Sequence, residues 1–417
     1  MNRMAPTAVM VLACASCGAP QSRSTSTPAT PAHVSVPEDL ATRQLILDDT
    51  ATFGFSAGLP RSVSVTPTGD AVLFLRSGPR SLAQDLYTVD TGTGAERVLV
   101  RAADLLGNAS AKLGAKEKAR RERMRMITRG ISRYQLSKDG ARILIPLAGK
   151  LYVVDRKSGA ATKLAVSAGY PIDPMLSPDG EHIATTAGGN VQVIDIATRR
   201  STQVSHCKGE AISCGEAEFV AQEEMGRFHG FWWSPDSRFV AFQKTDTSPV
   251  EVLYLANPRH PEKKPQPRRY PRAGTANAKV TLAVVPRAGG KPVWVAWDHD
   301  RYPYLANVVW EKGGPLTIVV ESRAQTEVLV LAVDHETGKT RELLRETDDA
   351  WLNLDPDMPR WLEDGSGFLW VTERRGGPQL ELHVPGGKLA GVLTETALGF
   401  RGVIDVNEKA HTALVAA

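Results

Sequence analysis

The run Ser137-Lys138-Asp139-Gly140-Ala141-Arg142-Ile143-Leu144-Ile145, followed by Leu151-Tyr152-Val153-Val154-Asp155, joins a tight turn to two short apolar strands. The turn returns 40 residues on as Ser177-Pro178-Asp179-Gly180, ahead of His182-Ile183-Ala184 and Val191-Gln192-Val193-Ile194-Asp195. Its residue types have a physical logic: Pro presets the first turn dihedral, Asp bonds its own backbone, and Gly takes a positive φ that other residues resist. Further copies are Thr66-Pro67-Thr68-Gly69-Asp70, Ser234-Pro235-Asp236-Ser237 and the looser Glu363-Asp364-Gly365-Ser366, each leading into an apolar strand.

Two turn-linked strands repeating at about 40 residues is the period of a four-stranded propeller blade. The longer gaps, 57 residues from Ser177 to Ser234 and 129 from Ser234 to Glu363, require insertions and one blade with a worn turn near Val308-Val309-Trp310-Glu311. The pattern predicts an all-β propeller of six blades and the start of a seventh, Gly402 to Val415. An irregular sandwich or barrel is the competing fold.

Two stretches break the β pattern. Ser110 to Arg129 is rich in Ala, Lys, Glu and Arg and predicts an exposed helix. Gly215 to Arg227 predicts a short acidic one.

Composition narrows the function. Apolar residues make up 42% of the 417 and 50 basic residues stand against 46 acidic ones, a net charge of +4. A sizeable core is affordable, and neither a nucleic-acid face nor a polybasic membrane segment is required. Residues 1–20 resemble an export signal, with Arg3 before an apolar run too short to span a bilayer. Val11-Leu12-Ala13-Cys14 has the form of a bacterial lipobox, which makes Cys14 the expected lipid acceptor; Cys17 and an unlipidated signal are the alternatives. Residues 21–45 form a Ser/Thr/Pro/Ala-rich linker, and 46–417 the propeller. The expected location is the periplasm or a lipid anchorage on a bacterial membrane.

Cys207 and Cys214 close a small disulfide loop in an oxidising compartment, or remain two free thiols. A metal is not expected there, because a CxxC spacing and companion ligands are missing.

The densest signal is Glu216-Ala217-Glu218-Phe219-Val220-Ala221-Gln222-Glu223-Glu224-Met225-Gly226-Arg227, then Gly230-Phe231-Trp232-Trp233-Ser234-Pro235-Asp236. With Ser248-Pro249-Val250-Glu251-Val252 and Arg269-Tyr270-Pro271-Arg272-Ala273-Gly274-Thr275, it resembles the dipeptidyl peptidase IV family of the prolyl oligopeptidase clan. Trp351-Leu352-Asn353-Leu354 and Trp361-Leu362-Glu363-Asp364-Gly365 extend the likeness more weakly. The resemblance implies an eight-bladed ring, incomplete at the C-terminus of this chain, capping an α/β-hydrolase domain. It implies that Glu223 and Glu224 grip a peptide N-terminus, since two adjacent carboxylates share an ammonium through charge-assisted hydrogen bonds. It also implies an Arg near the substrate carbonyl, with Arg120, Arg121, Arg123 and Arg125 as the reservoir.

Taken without its flanks, the Glu223-Glu224 pair is an ordinary solvated helix end. Glu216 and Glu218 lack the match and are expected at the surface. Trp232 and Trp233 are expected in the blade core and cavity wall.

A GxSxG string, Gly54-Phe55-Ser56-Ala57-Gly58, occurs before the first blade with Leu59-Pro60 where a helix should follow, so it is read as coincidence. No catalytic residue, cofactor or metal is therefore expected in this chain. The expected partners are a peptide N-terminus, a hydrolase domain, a membrane through lipid and a second copy of the chain. The implied function is the substrate-gating part of a peptidase that releases Xaa-Pro or Xaa-Ala dipeptides, inactive alone. The alternative is a stand-alone periplasmic propeller that binds peptides or proteins without cleavage.

Overall fold

The computed structural model describes residues 40–107 and 113–417. The expected signal, Cys14, Cys17 and most of the linker lie outside the described residues. The chain divides into two compact units, 1–50 and 51–417. Helix α1 begins at Leu40 in the first and runs to Ala51, the first residue of the second. The linker thus gives way to helix earlier than residue 45, because Leu40–Ala51 holds no Pro or Gly to interrupt it.

The second unit is a propeller built from consecutive antiparallel sheets. The first blade pairs Arg61–Val65, Ala71–Ser77, Ala83–Asp90 and Glu96–Val100 in sequence order. The second spans Gln135 to Leu164 and the third Ile172 to Gln203, each with four strands in order. In the fourth, Phe239–Asp246 pairs with Lys279–Pro286, and two short segments, Ile212–Cys214 and Phe231–Trp233, share its inner edge. The fifth runs from Tyr304 to Thr347, the sixth from Arg360 to Val392, and Gly402–Asn407 pairs with Thr412–Ala416 beyond it.

The turns work as their residues dictate. The Ser137, Ser177 and Ser234 hydroxyls each accept the backbone N–H five residues on, from Arg142, His182 and Phe239, all at 2.9 Å. The Asp two residues after each Ser takes the Ser hydroxyl and a backbone N–H besides. Gly140 and Gly180 sit at φ near +70°, and Ser237 is forced into the same region at +61°. The worn turn of the fifth blade keeps Gly313 for a different reason: a Cβ there would meet the Leu362 carbonyl oxygen at 1.9 Å.

Between each pair of neighbouring blades lies one apolar layer. Leu73 and Leu75 meet Ile143 and Ile145; Leu144 and Leu151 meet Ile183 and Ile194; Val191 meets Phe231 and Phe242. Leu282 packs with Ile318, and Val319 with Phe368. Each such buried aliphatic contributes about 1.5–3 kcal/mol, so the layers hold the blades side by side.

At the two ends of the blade series the faces are more open. Val63 and Val65 of the first blade and Ile404 and Leu414 of the last pairing are exposed. Phe74 of the first blade is buried, stacked on Tyr87 at 5.5 Å between centroids. Val72 and Val403 are half-buried.

After the first blade come helix α2, Ala102–Leu106, and helix α3, Ala115–Arg123. The segment leading into the fourth blade carries helix α4, Phe219–Glu223. Between the fourth blade's main strands a hairpin, Val252–Leu255 with Gln266–Arg269, extends outward.

Candidate functional site

Composition alone makes α3 a solvated helix, and here the structure corrects it: Arg120 is buried. Its Nη2 donates to Asp173 Oδ1 at 2.9 Å, and Arg133 Nη1 donates to the same oxygen at 3.0 Å. Asp173 lies in a bulge of the third blade's inner strand at φ +52°, with His229 Nδ1 2.6 Å from its second oxygen. Burial alone would raise the Asp173 carboxyl, but His229, Arg120 and Arg133 outweigh it and hold the group well below the usual carboxylate range. One carboxylate therefore fixes α3, the approach to the second blade and the segment after α4.

Three further α3 cations are also committed, Lys118 alone staying exposed without a side-chain partner among the described residues. Lys116 Nζ donates to both Glu216 oxygens at 2.7 and 2.8 Å. Arg121 pairs with Glu117 one turn back and donates to Ser132. Arg123 reaches α4: its Nη1 donates to Gln222 Oε1 at 3.2 Å, its Nε stands 3.2 Å from Glu223 Oε1, and its guanidinium lies 5.2 Å over the Phe219 ring. Arg125 is exposed with φ +51°. Of the four arginines in the reservoir, Arg123 is the one brought to the carboxylate pair.

Glu223 ends α4 and Glu224 follows it, both side chains exposed. Among the described residues the Glu224 carboxylate has no hydrogen-bond or ion-pair partner. Two carboxylates against one guanidinium leave one negative charge uncompensated, which suits a single small cation. Phe219 also meets Tyr270 edge-on at 4.9 Å, so the aromatic of the Tyr-Pro motif is brought to the same helix.

Glu218 departs from its expected place at the surface. It is buried, its Oε2 lying 3.4 Å from Arg227 Nη2 and accepting from Gln243 Nε2. Trp233 is core, while Trp232 lines a cavity of about 840 Å³ shared by His229, Asn307, Trp310 and Trp361.

Cys207 and Cys214 are bonded, with sulfurs 1.98 Å apart, and the Cys207 N–H donates to Asn190 Oδ1. Ser56 lies in a turn where its hydroxyl donates to the Phe53 carbonyl at 2.7 Å, which is neither a strand end nor a helix start. Asp179, Glu181 and His182 bring donor atoms within 4.8 Å of one another, the one such group among the described residues. The Asp179 carboxylate is already occupied by Ser177, the Glu181 N–H and Arg287.

Asp173, His229 and Arg133 carry no local motif, and each gains its role only from residues far along the chain. Arg227 falls within the quoted motif, where its position nine residues after Glu218 is the only hint of a pair.

A family model described as the dipeptidyl peptidase IV N-terminal region matches residues 137–414. Dipeptidyl peptidase 8 of Mus musculus is 24% identical over 328 residues, covering 63% of this chain and 36% of that protein. A probable dipeptidyl-aminopeptidase B of Pyrenophora tritici-repentis is 26% identical over 217 residues, covering 45% of this chain and 25% of that protein. The crystal structure of Porphyromonas gingivalis dipeptidyl peptidase 4 superposes with a TM-score of 0.62 at 18% identity, covering 83% of this chain and 48% of that one, and so shares its fold. The chain spans about a third or less of the curated relatives it matches.

Proposed function

The chain belongs to the dipeptidyl peptidase IV N-terminal region family, and on that premise we propose that it is the substrate-binding propeller of an exported dipeptidyl peptidase. Glu223 and Glu224 receive the N-terminal ammonium of a peptide, and Arg123 faces the first peptide carbonyl. Two residues then fit between this anchor and the nucleophile of a hydrolase domain, so the product is a dipeptide. The observation that carries the reading is the exposed Glu223-Glu224 pair with the Arg123 guanidinium 3.2 Å from Glu223.

An ammonium between carboxylates forms short, charged hydrogen bonds that a blocked N-terminus cannot replace. The guanidinium, a donor only, completes the fit by meeting a carbonyl oxygen. The Cys207–Cys214 bond supports an oxidising location, and lipid anchorage through Cys14 belongs to the same proposal.

The test is equilibrium dialysis of this chain with Ala-Pro p-nitroanilide. Retention of the free amine but not of its N-acetyl form, with no p-nitroaniline released, is the expected result. Equal retention of both overturns the anchor, and turnover that disappears on Ser56→Ala overturns the assignment of catalysis to another domain.

A further inference from the structure

Helix α4 has five residues, too few to be stable by itself. Its own sequence works against it, since Glu223 and Glu224 place negative charge at the negative end of the peptide dipoles. Nor does a side chain cap its start: Glu218 occupies the N-cap position without bonding the first free N–H groups. Something outside the helix must hold the two carboxylates where they stand.

That support is a buried frame. Glu218 immediately precedes α4 and Arg227 follows it, and their side chains are each only 5% exposed. Arg227 donates from Nε and Nη2 to the Leu305 carbonyl at 3.2 and 2.9 Å, from Nη1 to the His229 carbonyl at 2.7 Å, and faces Glu218 Oε2 at 3.4 Å. The Arg227 backbone N–H closes the loop on the Ala221 carbonyl at 2.9 Å. Glu218 in turn takes Gln243 Nε2, from the fourth blade, whereas Leu305 belongs to the fifth. The pair thus ties both ends of α4 to two adjacent blades. Burial pulls the Arg227 guanidinium below its ordinary value, with Glu218 opposing.

A buried ion pair adds little net stability over apolar side chains of similar volume, because desolvation offsets the attraction. It does have direction, and a fully bonded guanidinium permits few orientations of the loop it closes. We propose that Glu218 and Arg227 are positioning residues that hold Glu223 and Glu224 preformed for a peptide ammonium before any ligand arrives. This rests on the anchor reading above. Neither residue touches the ligand; both act through the geometry of α4.

The experiment has two arms on this chain. The first is calorimetric titration of the wild type, Glu218→Gln and Arg227→Lys with the tripeptide Ala-Pro-Ala, free and N-acetylated. The expected result is that each variant loses about tenfold or more in affinity for the free peptide, narrowing the free-to-acetylated ratio. A wild type without that ratio sinks the anchor reading. A wild type with the ratio and variants that keep it in full sink the positioning role alone. The second arm needs no variant. Amide hydrogen exchange in the ligand-free wild type should show Gln222, Glu224 and Arg227, whose N–H groups bond the Glu218, Val220 and Ala221 carbonyls, protected like strand residues. Exchange as fast as in the Val252–Leu255 hairpin would mean that α4 is not preformed, and the proposal falls.

Discussion

The Nε of Arg123 stands 3.2 Å from Oε1 of Glu223, joining the insertion that follows the first blade to the one that leads into the fourth. The guanidinium both balances part of the carboxylate charge and competes with any cation that seeks it. Those two effects have opposite signs for different ligands.

Arg123→Met should therefore weaken Ala-Pro-Ala, which loses its carbonyl partner, while strengthening a simple amine such as ethylamine, which gains a freer Glu223. The expected shift in the ratio of the two affinities is about tenfold or more, on the scale of one charge-assisted hydrogen bond. Titration of both ligands against both proteins measures it. A parallel loss for both would make Arg123 a structural residue only.

Asp173 gives a pH prediction. Its carboxyl is held below the ordinary range in the folded chain, so its contribution to stability is complete above the unfolded value of about 4 and is lost as pH falls through the folded one. Melting temperature should fall steeply below about pH 4 in the wild type. Asp173→Asn should flatten that fall and cost about 3–5 kcal/mol at neutral pH, since it leaves buried Arg120 without its counter-charge. A variant as stable as the wild type at pH 7 would contradict this.

Glu321 titrates the other way. It is fully buried at the end of the strand Leu316–Glu321, neither oxygen has a hydrogen-bond partner among the described residues, and burial pushes its carboxyl up to about 7, with Gln325 opposing. The folded chain keeps a proton that the unfolded chain releases, so stability declines as pH rises from about 4.5 to 7 and levels off above. The decline is about 3 kcal/mol at most. Glu321→Gln should remove the slope from a series of melts across this window. An unchanged slope would place the titration elsewhere.

The blades were legible because their information is local. Ser137, Asp139 and Gly140 bond within one turn, and the strands after them announce their buried face by type alone. The insertions were legible as helices but not in their surroundings. Arg120 looks solvated until Asp173 arrives from the third blade, and Glu218 looks like another surface acid until Arg227 and Gln243 enclose it. In the site, residue identity came from the motif, and the choice of Arg123 from geometry.

The central claim is that Glu223 and Glu224 together grip a peptide ammonium. It is tested most directly by the affinity of this chain for Ala-Pro-Ala against its N-acetyl form, in the wild type and in the Glu223→Gln, Glu224→Gln double variant. Two exposed carboxylates replaced by isosteric amides should leave the fold intact, so a matching melt accompanies the titration. The account predicts that the wild type prefers the free amine by about tenfold or more and that the double variant shows no preference. A preference that survives in the double variant, or none in the wild type, would contradict it.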